Sequence, residues 1–204
     1  MKKLLIFAAL ITATCLLNGN VAFDVGFYAP KDSKVNVLWG LEFFNTIDER
    51  VSMGMTVNYF YRSFRKGSYS VEPPSNQYEN GVVGTDAKVT TVFFPMYAGF
   101  KVHLPFESLP VVPFAGADFG WGFTWKSYDA YIEQDGRDRK GTDFYHGFTW
   151  RINAGATYPL GTMSDVYVKV FYNDASFEQS ESVRKWKEFD MSGMSVGLGI
   201  RFKY

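Results

Sequence analysis

The two histidines, His103 and His146, are the side chains best suited to act as a general base at neutral pH. Hydrolysis or acyl transfer would need such a base beside a serine nucleophile or an acidic residue. His146 is followed by Gly147 and Phe148 rather than by a serine motif, and a histidine without partners is weak evidence for catalysis. The sequence has no metal-ligand cluster, phosphate loop or paired-carboxylate motif. We therefore predict a protein that is not an enzyme, with no cofactor and no metal.

Charged residues that share one parity within alternating segments form the second candidate group. They are Glu42, Lys101, Asp118, Arg151, Lys169 and Arg201. If these side chains meet inside the fold, they form either a fixed network of salt bridges or a gated path for ions. The elements that carry them favour the fixed network.

Those elements are strands, because apolar residues recur with a period of two. The last segment shows it most clearly, since Met194, Val196 and Leu198 alternate with serine and glycine. The same period predicts eight strands, at residues 21–29, 35–45, 51–64, 89–104, 111–126, 144–160, 166–173 and 190–204. Aromatic residues make up 19% of the chain.

Glycine decides between a soluble β-sandwich and a membrane barrel. Glycines such as Gly54, Gly99, Gly120 and Gly197 lie on the charged face of the strands. A solvent-facing position gains nothing from glycine, whereas the narrow interior of an eight-stranded barrel needs small residues beside large ones. The predicted fold is therefore all-β, an eight-stranded antiparallel up-and-down transmembrane β-barrel.

The N-terminus reads as a signal peptide, because Lys2 and Lys3 precede a short apolar run from Leu4 to Leu17. We predict that residues 1–22 are cleaved, after Gly19 or Ala22, and that residues 23–204 form the barrel. Lipidation of Cys15 is disfavoured, because Thr14 precedes it. The predicted mature chain then has 19 basic and 21 acidic residues, a net charge of −2 that argues against a nucleic-acid partner.

The connections alternate in length, which predicts the topology. Links 46–50, 105–110 and 161–165 are short, whereas 65–88, 127–143 and 174–189 are long. Short turns face the periplasm in outer-membrane barrels, and an even strand count places both termini there. Pro95 and Pro113 lie within predicted strands, where each removes a ladder hydrogen bond, and we expect a bulge at each or, at Pro95, irregular pairing of the strand.

The end of the chain, Val196 to Tyr204, resembles the C-terminal signal of outer-membrane barrels, an alternating strand that ends in an aromatic residue. The segments 113–122 and 147–158 resemble strands of the small opacity-protein and outer-membrane-protein-A-like barrels. The resemblance implies location in the cell outer membrane and recognition by the barrel-assembly machinery. That assembly signal would be read from Leu198, Ile200, Phe202 and Tyr204.

The long connections hold candidates for recognition of an extracellular ligand. They are Tyr128, Tyr131, Arg137, Arg139 and Trp186, and Asp135-Gly136 is expected to form a hairpin tip. The basic residues there are suited to the phosphates of lipopolysaccharide, which with other outer-membrane lipid is an expected partner. The leading hypothesis is a non-enzymatic barrel with a filled polar lumen, which acts as an envelope protein or as a scaffold for surface loops. A narrow channel for ions or small apolar solutes is the alternative, and a lipid-modifying enzyme centred on His146 is the least favoured.

Overall fold

A computed structural model describes residues 19–71, 82–104, 106, 109–132, 137–177 and 189–203. Within them the chain forms ten strands. These are β1 (Asn20–Pro30), β2 (Asn36–Asp48), β3 (Val51–Val71), β4 (Val82–His103), β5 (Val112–Ile132), β6 (Arg137–Pro159), β7 (Ser164–Asp174), β8 (Ser176–Phe177), β9 (Phe189–Asp190) and β10 (Gly193–Phe202). The described part of the chain contains no helix long and apolar enough to cross a membrane.

Eight of these strands close into one antiparallel barrel, in the order β1-β10-β7-β6-β5-β4-β3-β2. The first and last barrel strands complete the ring, with a register that runs from Val21 opposite Phe202 to Pro30 opposite Gly193. The short strands β8 and β9 pair only with each other. The predicted eight-stranded up-and-down barrel is confirmed.

The outer surface of the barrel is apolar, which is the reverse of a soluble protein. Phe27, Met194 and Leu198 are each more than 60% exposed, whereas Asp24 and Asp118 on the opposite face are 2% exposed or less. Such an inversion is stable only where lipid covers the outside. The predicted inward and outward parities are confirmed by this arrangement.

Barrel strands of two lengths form the wall. The strands β3, β4, β5 and β6 have 21 to 23 residues, whereas β1, β2, β7 and β10 have 10 to 13. Pairing of β2 with β3 ends at Phe60, and pairing of β7 with β6 ends at Trp150. Beyond these points, among the described residues, the four long strands pair only with one another. Their continuation, residues 61–71, 82–92, 125–132 and 137–144, is called the outer sheet below.

The outer sheet corrects the predicted loops 65–88 and 127–143, since most of both segments is paired strand. Both segments are rich in charged, small and polar residues and lack a sustained alternation of apolar residues. A polar segment without alternation is typical of a loop, which explains the error. The expected hairpin tip, Asp135-Gly136, lies outside the described residues.

The bulges expected at the two prolines are absent, but the irregular pairing expected at Pro95 is present. Around Pro95 the β3–β4 ladder lacks two pairs, but Val57 opposite Met96 and Phe60 opposite Phe93 keep one register, so no bulge is present. Pro113 pairs in register with Ala156. The register shift in the β2–β3 ladder falls between Thr46 and Asp48, beside a short turn.

The short turns lie at the same end of the barrel as the start of β1 and the end of β10, as predicted. We call this the periplasmic end, following the habit of outer-membrane barrels. The opposite end, which carries the outer sheet, is the outer end.

The start of β1 bears on where the signal peptide is cleaved. Cleavage after Ala22 would remove Asn20, Val21 and Ala22, which pair with Phe44, Phe43 and Glu42 of β2. Ala22 is also 3% exposed and packs in the lumen. We therefore expect the mature chain to begin at Asn20. Intact-mass measurement of protein purified from outer membranes checks this, and a mass that begins at Phe23 would contradict it.

Candidate functional site

The middle of the lumen is filled by paired charges. The Lys169 ammonium lies 2.8 Å from the Asp24 carboxylate and 2.7 Å from that of Glu42. The other oxygen of Glu42 lies 2.5 Å from the Lys101 ammonium. All four side chains are buried. This chain of ion pairs links strands β1, β7, β2 and β4 across the barrel.

A second buried pair lies beside the first. The Arg151 Nε donates to Asp118 Oδ2 at 2.5 Å, and its Nη1 donates to Asn58 Oδ1 at 2.8 Å. Asn153 donates to the same Asp118 oxygen at 2.8 Å. The guanidinium also lies 4.5 Å from the ring centre of Tyr97. The two groups together, called the lumen network below, contain three acids and three bases, so they are neutral as a set.

Five of the six charges predicted for the interior belong to the lumen network, and Arg201 does not. Arg201 pairs with Asp165 at 3.5 Å and donates to Thr157 at 3.0 Å. Lys203 completes this periplasmic group at 2.7 Å from Asp165. The sixth member of the network is instead Asp24, an acidic residue of the same parity in β1.

An open basin of about 390 Å³ lies at the periplasmic end, lined in part by Glu49, His103, Asp165 and Arg201. Above it, an enclosed cavity of about 10 Å³ lies against Glu42, Lys101 and Phe114. That volume is at the lower limit for one water molecule. The basin therefore ends below the lumen network.

The outer half of the lumen is closed by the chain itself. Residues 175–177 and 189–191 fold inward and pack against rings of the barrel wall, and we call them the plug. The apolar cluster so formed contains Tyr28, Leu38, Phe60, Phe93, Tyr145, Phe171, Ala175, Phe177, Phe189 and Met191. This corrects two expectations, that 174–189 is an outer loop throughout and that the lumen is polar along its length.

A pair of glycines makes room for the plug. Gly122 and Gly147 lie opposite each other on β5 and β6. A Cβ atom at Gly122 would lie 2.6 Å from Phe177 Cζ, and one at Gly147 would lie 3.0 Å from Phe177 Cδ1. Any larger residue at Gly122 therefore displaces the Phe177 ring. The Tyr28 hydroxyl donates to the Met191 carbonyl and fixes the second half of the plug.

The short β1–β2 connection holds the plug from outside. Lys31 N donates to the Ser192 carbonyl at 2.9 Å, and the Lys31 ammonium lies 2.9 Å from Asp190 Oδ2. This hydrogen bond raises the pKa of Lys31. Partial burial opposes ionisation of Asp190, but hydrogen bonds from Ser192 and Lys31 outweigh it and lower the pKa of that carboxyl.

Neither histidine lies in a catalytic arrangement. His146 faces outward, with its ring centre 6.1 Å from that of Trp121 and 5.5 Å from that of Phe144. His103 lies 3.2 Å from the Ser52 hydroxyl, but Ser52 is 2% exposed and reaches only the 10 Å³ cavity. An acyl substrate cannot meet that hydroxyl. Among the described residues there is no group of three side chains suited to hold a metal ion.

The strands that carry the remaining predicted residues are these. Tyr128 and Tyr131 lie in β5, and Arg137 and Arg139 in β6, so all four belong to the outer sheet rather than to loops. Their side chains and Trp186 lie outside the described part. Leu198 and Phe202 of the predicted assembly signal are exposed on the outer surface, and Tyr204 is not described. The role of this signal stays a prediction.

The sequence matches no protein-family model and no curated protein. Solved structures of several outer-membrane proteins are similar to it in shape. Neisserial surface protein A is 15% identical, with a TM-score of 0.50 over 91% of this chain and 97% of that one. OprG of Pseudomonas aeruginosa is 12% identical, with a TM-score of 0.47 over 92% and 96% of the two chains. Ail of Yersinia pestis, in complex with the heparin analogue sucrose octasulfate, is 12% identical, with a TM-score of 0.45 over 91% and 100%.

These likenesses, at low identity, bear on the fold alone. The likeness to Neisserial surface protein A agrees with the closed barrel. By its fold, the chain is an eight-stranded antiparallel β-barrel similar to that of Neisserial surface protein A.

Proposed function

We propose that this barrel is a non-enzymatic scaffold that holds the outer sheet above the membrane for contact with an extracellular partner. The observation that carries the proposal is the filled lumen. The plug occupies its outer half and the lumen network its middle, so the barrel interior supports the wall rather than conducting a solute. Among the described residues, the outer sheet is the part that reaches furthest from the membrane.

A narrow ion path is the second candidate, and the open basin at the periplasmic end favours it. An ion entering the basin would meet Lys101 and Glu42, only 2.5 Å apart. Passage would require this pair to separate and the plug to leave. The scaffold proposal therefore predicts no ionic current across a bilayer, whereas the channel proposal predicts a measurable current.

Planar bilayers with the purified full-length barrel distinguish the two functions. We expect no steady conductance at either polarity over a range of applied voltages at neutral pH, because two separate barriers close the lumen. Reproducible single-channel steps in this range would contradict the scaffold. Heat-modifiable migration of the same sample verifies that the barrel is folded.

Adhesion of cells that display the chain tests whether the outer sheet contacts an extracellular partner. Replacing residues 129–140 by a two-residue turn shortens the β5–β6 hairpin while leaving Tyr128 opposite Gly141 as its last pair. We expect adhesion to surfaces coated with extracellular-matrix proteins to fall to the level of cells without the barrel. A periplasmic-turn variant, Gly161→Ser, is the control, because a side chain there meets open space. Adhesion that survives the shortening, in a folded barrel, would contradict the scaffold role.

A further inference from the structure

Three rows of side chains cross the outward face of the long strands in an order that matches a lipid headgroup. The lowest row is apolar and consists of Tyr61, Val92, Trp125 and Phe144, opposite one another on β3, β4, β5 and β6. The rings of Trp125 and Phe144 lie 5.2 Å apart. Aromatic rings on this surface mark the boundary between membrane and water.

The next row, two residues further out, consists only of hydroxyl side chains. Ser63, Thr90, Ser127 and Thr142 lie opposite one another in the same register. Ser63 and Thr90 lie 3.0 Å apart, and Ser127 and Thr142 lie 3.1 Å apart. Each hydroxyl is one donor with two lone pairs, so the row keeps capacity for further hydrogen bonds.

The third row is mainly basic. Arg65 lies directly opposite Lys88, Lys88 opposite Asp129, and Asp129 opposite Lys140. Arg65, Lys88 and Asp129 are exposed. Like charges directly opposite on neighbouring strands destabilise a sheet, and an anion between Arg65 and Lys88 turns this repulsion into attraction.

The spacing of the three rows would allow a single lipid headgroup to contact all of them. Rows two residues apart along a strand are separated by about 7 Å, and four strands about 4.8 Å apart give each polar row a width of about 14 Å. A row of this width offers hydrogen bonds to several hydroxyl groups at once, which suits a sugar headgroup better than a single phosphodiester.

We propose that this face binds a phosphorylated glycolipid of the outer leaflet. Its acyl chains would lie on the aromatic row, its sugar hydroxyls would bond to the hydroxyl row, and its phosphate would lie between Arg65 and Lys88. The site lies on the outer sheet, in its rows nearest the apolar band, and it goes beyond the role proposed above, which residues further from the membrane would serve.

Native mass spectrometry of the full-length barrel, with lipid A as the probe, tests the site. We expect the double reversal R65E/K88E to lower lipid A affinity by about tenfold or more, because charge-assisted hydrogen bonds to a phosphate are lost. The milder variant K88Q should lower it by a smaller factor. Arg50→Glu, an exposed arginine at a periplasmic turn, is the matched control and should bind as wild type. Unchanged lipid A binding by folded R65E/K88E would overturn the proposal.

Two further arms separate the glycolipid from other sources of phosphate. Phosphatidylglycerol should bind more weakly than lipid A, and S127A/T142A should lower lipid A binding severalfold while leaving phosphatidylglycerol binding unchanged. Equal binding of both lipids, equally lowered by R65E/K88E, would overturn the glycolipid assignment. Competition by millimolar inorganic phosphate would overturn it also, in favour of a site for free phosphate.

Discussion

Replacing Arg151 by methionine is expected to lower the free energy of unfolding by about 3–5 kcal/mol, because the change leaves the Asp118 carboxylate buried without its partner. Arg151 is 2% exposed and Asp118 is fully buried, so solvent cannot compensate either group. Asn58 also loses a donor at 2.8 Å. Urea-dependent unfolding in lipid vesicles, followed by tryptophan fluorescence, measures the loss.

The double variant R151M/D118N provides the control for this prediction. It removes both charges together, and replacing a whole buried ion pair by neutral groups costs far less than removing one partner. Arg50→Met, which removes an exposed arginine, should change stability by less than about 0.5 kcal/mol. A double variant as unstable as R151M would show that shape rather than charge is responsible.

Phe177→Ala is expected to release the plug, since a buried phenylalanine contributes about 3–5 kcal/mol to packing. Its ring is 1% exposed and lies 6.0 Å from that of Phe93. An energy of that size raises the open fraction of the plug by a factor of more than about 100. A cysteine in place of the fully buried Ala175 reports opening through its reaction with a membrane-impermeant thiol reagent.

The comparison is between A175C and A175C/F177A in the mature chain, where the prediction of signal-peptide cleavage leaves no other cysteine. F148A is the control background, because Phe148 is a 56% exposed phenylalanine on the lipid face. Equal labelling rates in all three proteins would show that the plug is held by its other contacts, such as those of Met191 and Asp190.

Periodicity predicts the barrel wall well only where its two faces differ in polarity. Around Leu198 the outward residues are large and apolar while the inward ones are glycine, so parity assigns the faces directly. At the level of Phe60 the pattern loses this contrast, because the residue lies inside while its neighbours Tyr59 and Tyr61 lie outside. The aromatic outer half of the lumen was missed for this reason.

The sequence analysis named five of the six charged residues of the lumen network, but it could not assign their level along the barrel axis. Parity places Arg201 and Asp24 on the inner face, yet their level depends on the pairing of β1 with β10, which joins the two ends of the chain. In that register Asp24 lies opposite Gly199 in the middle, whereas Arg201 lies opposite Ala22 near the periplasmic end. The plug was not predictable from periodicity either, because β8 and β9 contribute only two residues each.

Because the long strands lie on one side of the barrel and the short strands on the other, the two sides of the molecule differ in height. A barrel with strands of equal length presents the same rim in every direction, but among the described residues here one half of the circumference extends beyond the other as the outer sheet. A partner that binds the face of the outer sheet would approach parallel to the cell surface and would meet the edges of β3 and β6, which have no strand partner there among the described residues. How each copy is rotated about the membrane normal then determines which neighbours it can reach.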